Sequence, residues 1–327
     1  MKWIDKIQDF FVVGDTHGLP GKIEQFCDNY NITNNALIIL GDAGFNFYLN
    51  KTDRKLKEYV QSLGCLIYCV RGNHEERPEN LPDILEDYDD VVDGYIYYEK
   101  QYPNIRYLKD GNIYNMSGYY CLVIGGAYSI DKYYRLARAK AQGIDIETQW
   151  TGWFKDEQLS LEEMLHIEAD IKDVTVDFVL THTCPFSWEP LDLFLRQVDQ
   201  STVDNSMEKW LDNIKDEIHW NCAWLFGHFH DDRIVRPHVE MYMNNIESLD
   251  NIAARWKDWD NGYKLDWWLK LDPCWPFWKD EMNKRVNKIT EKEYETIWTI
   301  NDTAEKRIDF EADECDYDDN DERAEWD

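Results

Sequence analysis

Phe10-Phe11-Val12-Val13 runs without a break into Gly14-Asp15-Thr16-His17-Gly18. A short, wholly apolar run suits a strand covered on both faces, and the glycine-flanked polar turn marks where the chain leaves the sheet. The same grammar returns twice. Ala36-Leu37-Ile38-Ile39-Leu40 leads into Gly41-Asp42-Ala43-Gly44, and Leu66-Ile67-Tyr68-Cys69-Val70 leads into Arg71-Gly72-Asn73-His74-Glu75. The intervening segments, about residues 19–30 and 51–64, are long enough for crossover helices, so this part of the chain reads as βαβ. Further runs at 121–124, 176–180 and 222–226 predict more core strands, each followed by Gly, Thr or His. Ligands of open α/β sheets bind beyond the carboxyl ends of the strands, where these polar residues fall. Met207, Trp210, Leu211, Ile214 and Ile218 share one helical face and predict an amphipathic helix packed on the core.

The 327 residues hold 65 Asp and Glu against 35 Lys and Arg, a formal charge of −30. A surface that coats a phosphate backbone must be basic, so a long nucleic acid or an anionic membrane held by bulk charge is disfavoured. No apolar stretch approaches a membrane span, and charges interrupt the N-terminus before a signal-peptide core could form. The eight cysteines are scattered, form no C-x-x-C and lie mostly in apolar runs, as expected of reduced thiols in a cytoplasmic protein.

The polar residues after the strands are Asp15, His17, Asp42, Asn73, His74, His182, His228 and His230. Seven of these eight suit metal ligation through carboxylate, imidazole or amide oxygen. A mixed nitrogen and oxygen set without thiolate fits Mn, with Fe, Zn or Ni as alternatives. Seven ligands exceed one ion and suit two divalent ions sharing a carboxylate. Such a pair clamps a phosphoryl oxygen and lowers the pKa of a bridging water, supplying a hydroxide nucleophile without Ser or Cys. That chemistry is phosphoester hydrolysis.

In this order, Gly14-Asp15-Thr16-His17-Gly18, Gly41-Asp42, Gly72-Asn73-His74-Glu75, Thr181-His182 and Gly227-His228-Phe229-His230 resemble the calcineurin-like metallophosphoesterase superfamily over about residues 9–235. The segment Gly126-Ala127-Tyr128-Ser129-Ile130-Asp131-Lys132-Tyr133-Tyr134-Arg135 is similar to that of uncharacterised bacterial and phage members. The resemblance implies a four-layer α/β/β/α sandwich with the metals at one end of two sheets. It implies that Asp15, His17 and His230 hold one ion, that Asn73, His182 and His228 hold the other, and that Asp42 bridges them. His74 would stand near the leaving-group oxygen as general acid or transition-state stabiliser. One departure bears on substrate. Phosphoprotein phosphatases carry G-D-x-x-D-R at the second motif, and here Phe45 and Asn46 replace the Asp that orients the histidine and the Arg that grips phosphate. Arg71, Arg77, Lys132 and Arg135 are the candidate replacements, with Arg135 and Arg71 foremost.

The expected organisation is a catalytic domain at 1–245, a Trp-rich C-terminal extension at 246–308 packed on or beside it, and an acidic tail at 309–327. Eight of fifteen tryptophans lie beyond residue 250, and the tail holds eleven acids and one base. The extension reads as added core or as a seam for an oligomer, with a lid or specificity wall over the metal cleft, its rings stacking on a nucleobase, as the alternative. Glu75 and Glu76 read as solvent-facing, with support of a ligand histidine as the alternative, and His166, His219 and His238 read as outside the site. The function expected is hydrolysis of a phosphomonoester or small phosphodiester, nucleotide-like or on a phosphoprotein. The alternatives are a single-strand nuclease of the same fold, or a non-catalytic interaction protein using the tail and extension.

Overall fold

A computed structural model of the chain describes residues 7–146, 149–195 and 198–261. The remainder of the extension and the acidic tail lie outside the described residues.

The first sheet contains β1 (Asp9–Val13), β2 (Asn35–Ile39), β3 (Leu66–Cys69), β4 (Ile84–Asp89), β5 (Gly94–Glu99) and β6 (Ile105–Leu108). The second contains β7 (Ile113–Met116), β8 (Tyr119–Ile124), β9 (Thr175–Thr181), β10 (His219–Phe226), β11 (Arg233–Arg236) and β12 (Val239–Met241). A last strand, β13 (Glu247–Ser248), returns to the first sheet, giving the orders β13-β1-β2-β3-β6-β5-β4 and β11-β12-β10-β9-β8-β7. The centres are parallel, β1-β2-β3-β6 in one sheet and β8-β9-β10-β12 in the other, and the outer pairs are antiparallel. Around them lie α1 (Gly21–Asn29), α2 (Lys51–Leu63), α3 (Lys132–Ala141), α4 (Leu161–Ile171), α5 (Ser206–Ile214) and α6 (Leu249–Asp260).

The apolar runs are continuous because each strand has two buried faces. Phe10, Val12, Ile38, Leu40, Leu66 and Tyr68 meet Cys121, Val123, Phe178, Leu180 and Leu225 between the sheets. Their neighbours one residue along, Phe11, Val13, Leu37, Ile39 and Ile67, pack against Ile23 and Phe26 of α1 and Val60 of α2. On the far side, Leu122, Ile124, Val179, Trp224 and Phe226 cover Met164 and Ile167 of α4 and Met207, Trp210 and Leu211 of α5. This is the expected four-layer α/β/β/α sandwich, with the strand period of two sorting the layers.

Residues 246–261 continue the first sheet through β13, which pairs antiparallel with β1, and α6 packs its Trp256 into the core between the sheets. Trp256 Nε1 donates to Glu240 Oε1 at 2.6 Å, and Arg255 pairs with Glu240 and Glu247. The 207–218 helix is shorter than its apolar spacing predicted. It stops at Ile214, Ile218 joins the same apolar cluster from the turn, and His219 begins β10.

Candidate metal centre

The carboxyl ends of the parallel strands gather at one end of the sandwich. Asp15 and His17 follow β1, Asp42 follows β2, Asn73 and His74 follow β3, His182 follows β9, and His228 and His230 follow β10. Each side chain is therefore carried on a short loop anchored by a buried strand. Backbone bonds link these loops: Thr16 and His17 N both donate to Asp42 O, at 3.1 and 2.8 Å, and Gly18 N donates to Ala43 O at 3.0 Å. His17, Asp42, His228 and His230 have φ of 47°, 46°, 67° and 56°. A left-handed backbone costs a non-glycine residue on the order of 1 kcal/mol or more, so four among seven candidate ligands mark a site that the surrounding fold forces into shape. Gly41 is there for close approach, since a Cβ on it would lie 2.0 Å from His182 Nδ1.

Two groups of ligand atoms result. Asp15, His17 and His230 offer atoms within 4.8 Å of one another, as do Asp15, Asp42 and His182. In the first, Asp15 Oδ2 stands 3.2 Å from His230 Nε2 and 3.6 Å from His17 Nε2, and those two nitrogens are 2.9 Å apart. In the second, His182 Nε2 stands 3.6 Å from Asp42 Oδ2 and 2.8 Å from Asn73 Oδ1. The His228 ring lies 5.0 Å from that of His182. The Leu40 carbonyl accepts from His182 Nδ1 at 2.8 Å, which turns the ring so that Nε2 faces Asp42 and Asn73. Two backbone donors fix the carboxylates: His228 N to Asp15 Oδ1 at 3.0 Å, and His74 N to Asp42 Oδ1 at 2.8 Å.

The electrostatics are those of a dense, buried, mutually dependent set. Burial works against ionising Asp15 and Asp42, yet the His182 charge holds both carboxyls below their ordinary range. Burial likewise opposes the His182 charge, and Asp42 and Asp15 overcome it, raising His182 to about 9. Burial, with the His182 charge, takes His228 down to about 3, leaving a neutral imidazole. Asp15 Oδ2 is buried and accepts no hydrogen bond. An uncovered carboxylate oxygen facing two imidazole nitrogens, in a donor set without thiolate, fits a divalent cation of the hard or borderline kind.

His74 lies beside this cluster, its Nδ1 buried without a hydrogen-bond partner and its pKa lowered by burial. Arg135, on α3, sits near enough for its charge to act on His74. It gives Nε to Asp131 Oδ2 at 2.6 Å and Nη1 to Gly152 O at 3.0 Å, with its guanidinium 5.5 Å from the Phe47 ring. Arg71 is placed differently. It is buried, and its guanidinium joins Asp110 Oδ2, Gly125 O and Glu157 O, bracing the end of β3 against two other loops. Arg77 is similarly engaged by Glu163, Asp156 and Gln158.

Glu75 is buried rather than solvent-facing, because its Oε1 accepts from Gly72 N at 3.0 Å within the turn, and burial pushes it up to about 7. His166 is exposed on α4, and His238 bonds Cys222 O and Asp260 while stacking on Trp256. Sequence reading missed Ser129 and Glu157, which back Asn73. Ser129 stood within a quoted motif, but Glu157 carries no local signal.

A two-sheet sandwich with a histidine and aspartate centre at its strand ends defines a metal-dependent hydrolase of phosphoesters. The chain belongs to the calcineurin-like phosphoesterase family, whose model matches residues 9–232. No curated protein matches the sequence. Among the described residues, no helix is long and apolar enough to cross a membrane.

Proposed function

We propose that the protein is a dinuclear metal-dependent phosphoesterase that hydrolyses a phosphomonoester or a small, nucleotide-like phosphodiester. The observation that carries this reading is the convergence of Asp15, His17, Asp42, Asn73, His182 and His230 at one end of the sandwich, with Asp15 Oδ2 left uncovered. Asp15, His17 and His230 would hold one ion, Asn73, His182 and His228 the other, and Asp42 both. When bound, the ions supply positive charge for a phosphoryl oxygen and lower the pKa of water enough to give a nucleophile near neutral pH.

The chain's own residues do the rest. Asp42 is held in place by His74 N, so the position of the bridging carboxylate and that of the His74 ring are linked. His74 presents an imidazole whose Nδ1 is uncommitted, suited to protonating or stabilising a leaving oxygen. Arg135 on the rim is the phosphate contact, taking the place of the arginine missing at Asn46. The charge of −30 favours a small substrate over a long polyanion. Manganese suits the donor set, and the free cysteines suit the cytoplasm.

The test is metal analysis of the purified chain with turnover of p-nitrophenyl phosphate, its bis ester, cyclic nucleotides, a phosphopeptide and single-stranded DNA in Mn²⁺. Two ions per chain and cleavage of a small ester are expected. Fewer than two ions and no turnover would overturn the reading, and salt-sensitive cleavage of DNA alone would favour the nuclease.

A further inference from the structure

An amide is a ligand with a wrong end. Asn73 offers Oδ1 to a cation only when Nδ2 points away, and the two ends differ little in shape. Here Nδ2 donates to Ser129 Oγ at 2.8 Å. Ser129 Oγ in turn donates to Glu157 Oε2 at 2.5 Å, and Ser129 N donates to Glu157 Oε1 at 3.2 Å. All three residues are buried. A hydroxyl has one proton, and Ser129 gives it to Glu157 whenever that carboxyl is ionised, since a carboxylate has none to give back. Toward Asn73 the hydroxyl can therefore only accept. The flipped amide would set Oδ1 against a lone pair and is excluded.

We propose that Ser129 and Glu157 are positioning residues that keep the Asn73 carbonyl oxygen on the cation side, next to His182 Nε2. The assignment rests on the two-cation reading above. It gives a purpose to the Gly126–Arg135 segment, whose Ser129 is delivered to the back of Asn73. Arg71 supports the arrangement: its guanidinium clamps Gly125 O and Glu157 O together, the two loops that carry the relay.

The experiment is Mn²⁺ titration of the full chain by calorimetry at pH 8, above the value of about 7 to which burial pushes Glu157. The wild type should show two sites. Ser129→Ala should weaken one of them by roughly 10- to 100-fold, as loss of a ligand's outer partner does, and leave the other within threefold. Ser129→Thr, which keeps the hydroxyl, should bind nearly as the wild type does. Glu157→Gln should resemble Ser129→Ala, because its amide can donate to Ser129 and free the hydroxyl proton to face a flipped Asn73.

The decisive arm is the Asn73→Asp background, in which both oxygens are alike. There Ser129→Ala should cost nothing or strengthen binding. An equal loss in both backgrounds would mean that Ser129 merely supports the fold, and would overturn the relay, as would two unchanged sites in a folded Ser129→Ala. A wild type with no Mn²⁺ site would instead refute the two-cation reading itself.

Discussion

Gly72→Ala adds one methyl group 2.0 Å from Asp42 Oδ1, 2.2 Å from Asp42 N and 2.8 Å from Asp42 Cα. Ordinary contact begins near 3.4 Å, so the two loops must part by about 1.4 Å, or by about 1.2 Å if the carboxylate rotates away. Rotating the Asp42 side chain relieves only the first clash, since the other two atoms are backbone. Metal-ligand distances tolerate only about 0.2 Å, and a misplacement of about 1 Å in a reacting constellation costs on the order of 100-fold in rate. On the proposed two-cation reading we therefore expect kcat/KM to fall at least about 100-fold, equivalent to about 2.7 kcal/mol, with fewer than two ions retained per chain. Overpacking of this size destabilises by roughly 1–3 kcal/mol, less than typical domain stability, so the variant should still fold. Gly118→Ala is the control. Its φ is 96°, but a Cβ there meets nothing within 4 Å, so it carries a backbone cost far from the metal cluster. Metal content, thermal midpoint and p-nitrophenyl ester hydrolysis measured on both variants separate strain from site damage. A Gly72→Ala protein holding two ions with kcat/KM within threefold of wild type would refute the reasoning.

Arg135→Ala removes the proposed phosphate contact. A charge-assisted hydrogen bond is worth about 1.5–3 kcal/mol, so kcat/KM should fall roughly 10- to 100-fold at unchanged metal content, and undiminished turnover would remove Arg135 from the site. Glu208 on α5 is buried, and burial, aided by Glu189, pushes its carboxyl up to about 8 from an ordinary 4.5. The fold therefore holds this proton more tightly than the unfolded chain does, a contribution fully present below 4.5 and lost as pH rises through 8. Glu208→Gln keeps an oxygen for the Thr183 hydroxyl and removes the charge, so its thermal midpoint should exceed that of wild type above pH 8 and match it near pH 4. The gain is on the order of 5 kcal/mol, and a difference independent of pH would contradict the assignment. Trp256→Ala empties a 2 % exposed indole from the core between the sheets, so chemical denaturation should show a loss of about 3–5 kcal/mol.

The central strands, and the polar turns at their ends that carry the candidate ligands, were legible because the physics is local. A strand buried on both faces must be apolar throughout, as Ala36–Leu40 and Leu66–Val70 are, and a polar turn after it lies where sheets leave space. The β4–β5 hairpin was not legible. Ile84-Leu85-Glu86-Asp87-Tyr88-Asp89 is an edge strand, with only Asp89 fully buried, so no apolar face announces it. The helix α3 is similar, burying only Ala139. Arg71 shows the opposite limit. Its place beside a motif suggests a substrate contact, but Asp110, Gly125 and Glu157 come from elsewhere in the chain, and no spacing in the sequence brings them to it.

The same distinction explains why candidate ligands could be named from the sequence and the residues that back them could not. A ligand declares itself by residue type at a strand end, since few other demands place two histidines around Phe229. A support declares itself only through its partner: Ser129 and Glu157 are 28 residues apart and meet because β8 and the turn before α4 converge on β3. Asp15, Asp42 and His182 are nevertheless brought together without any apolar gain, on loops where four residues hold left-handed backbone. The charges of the cluster favour one another, since His182 holds both carboxyls below their ordinary range, but each left-handed residue beneath them costs on the order of 1 kcal/mol, which the three apolar layers of the sandwich offset. The candidate metal centre and the long apolar strands are thus one design. Shortening the strands' buried reach would first loosen the ligands and only later unfold the chain.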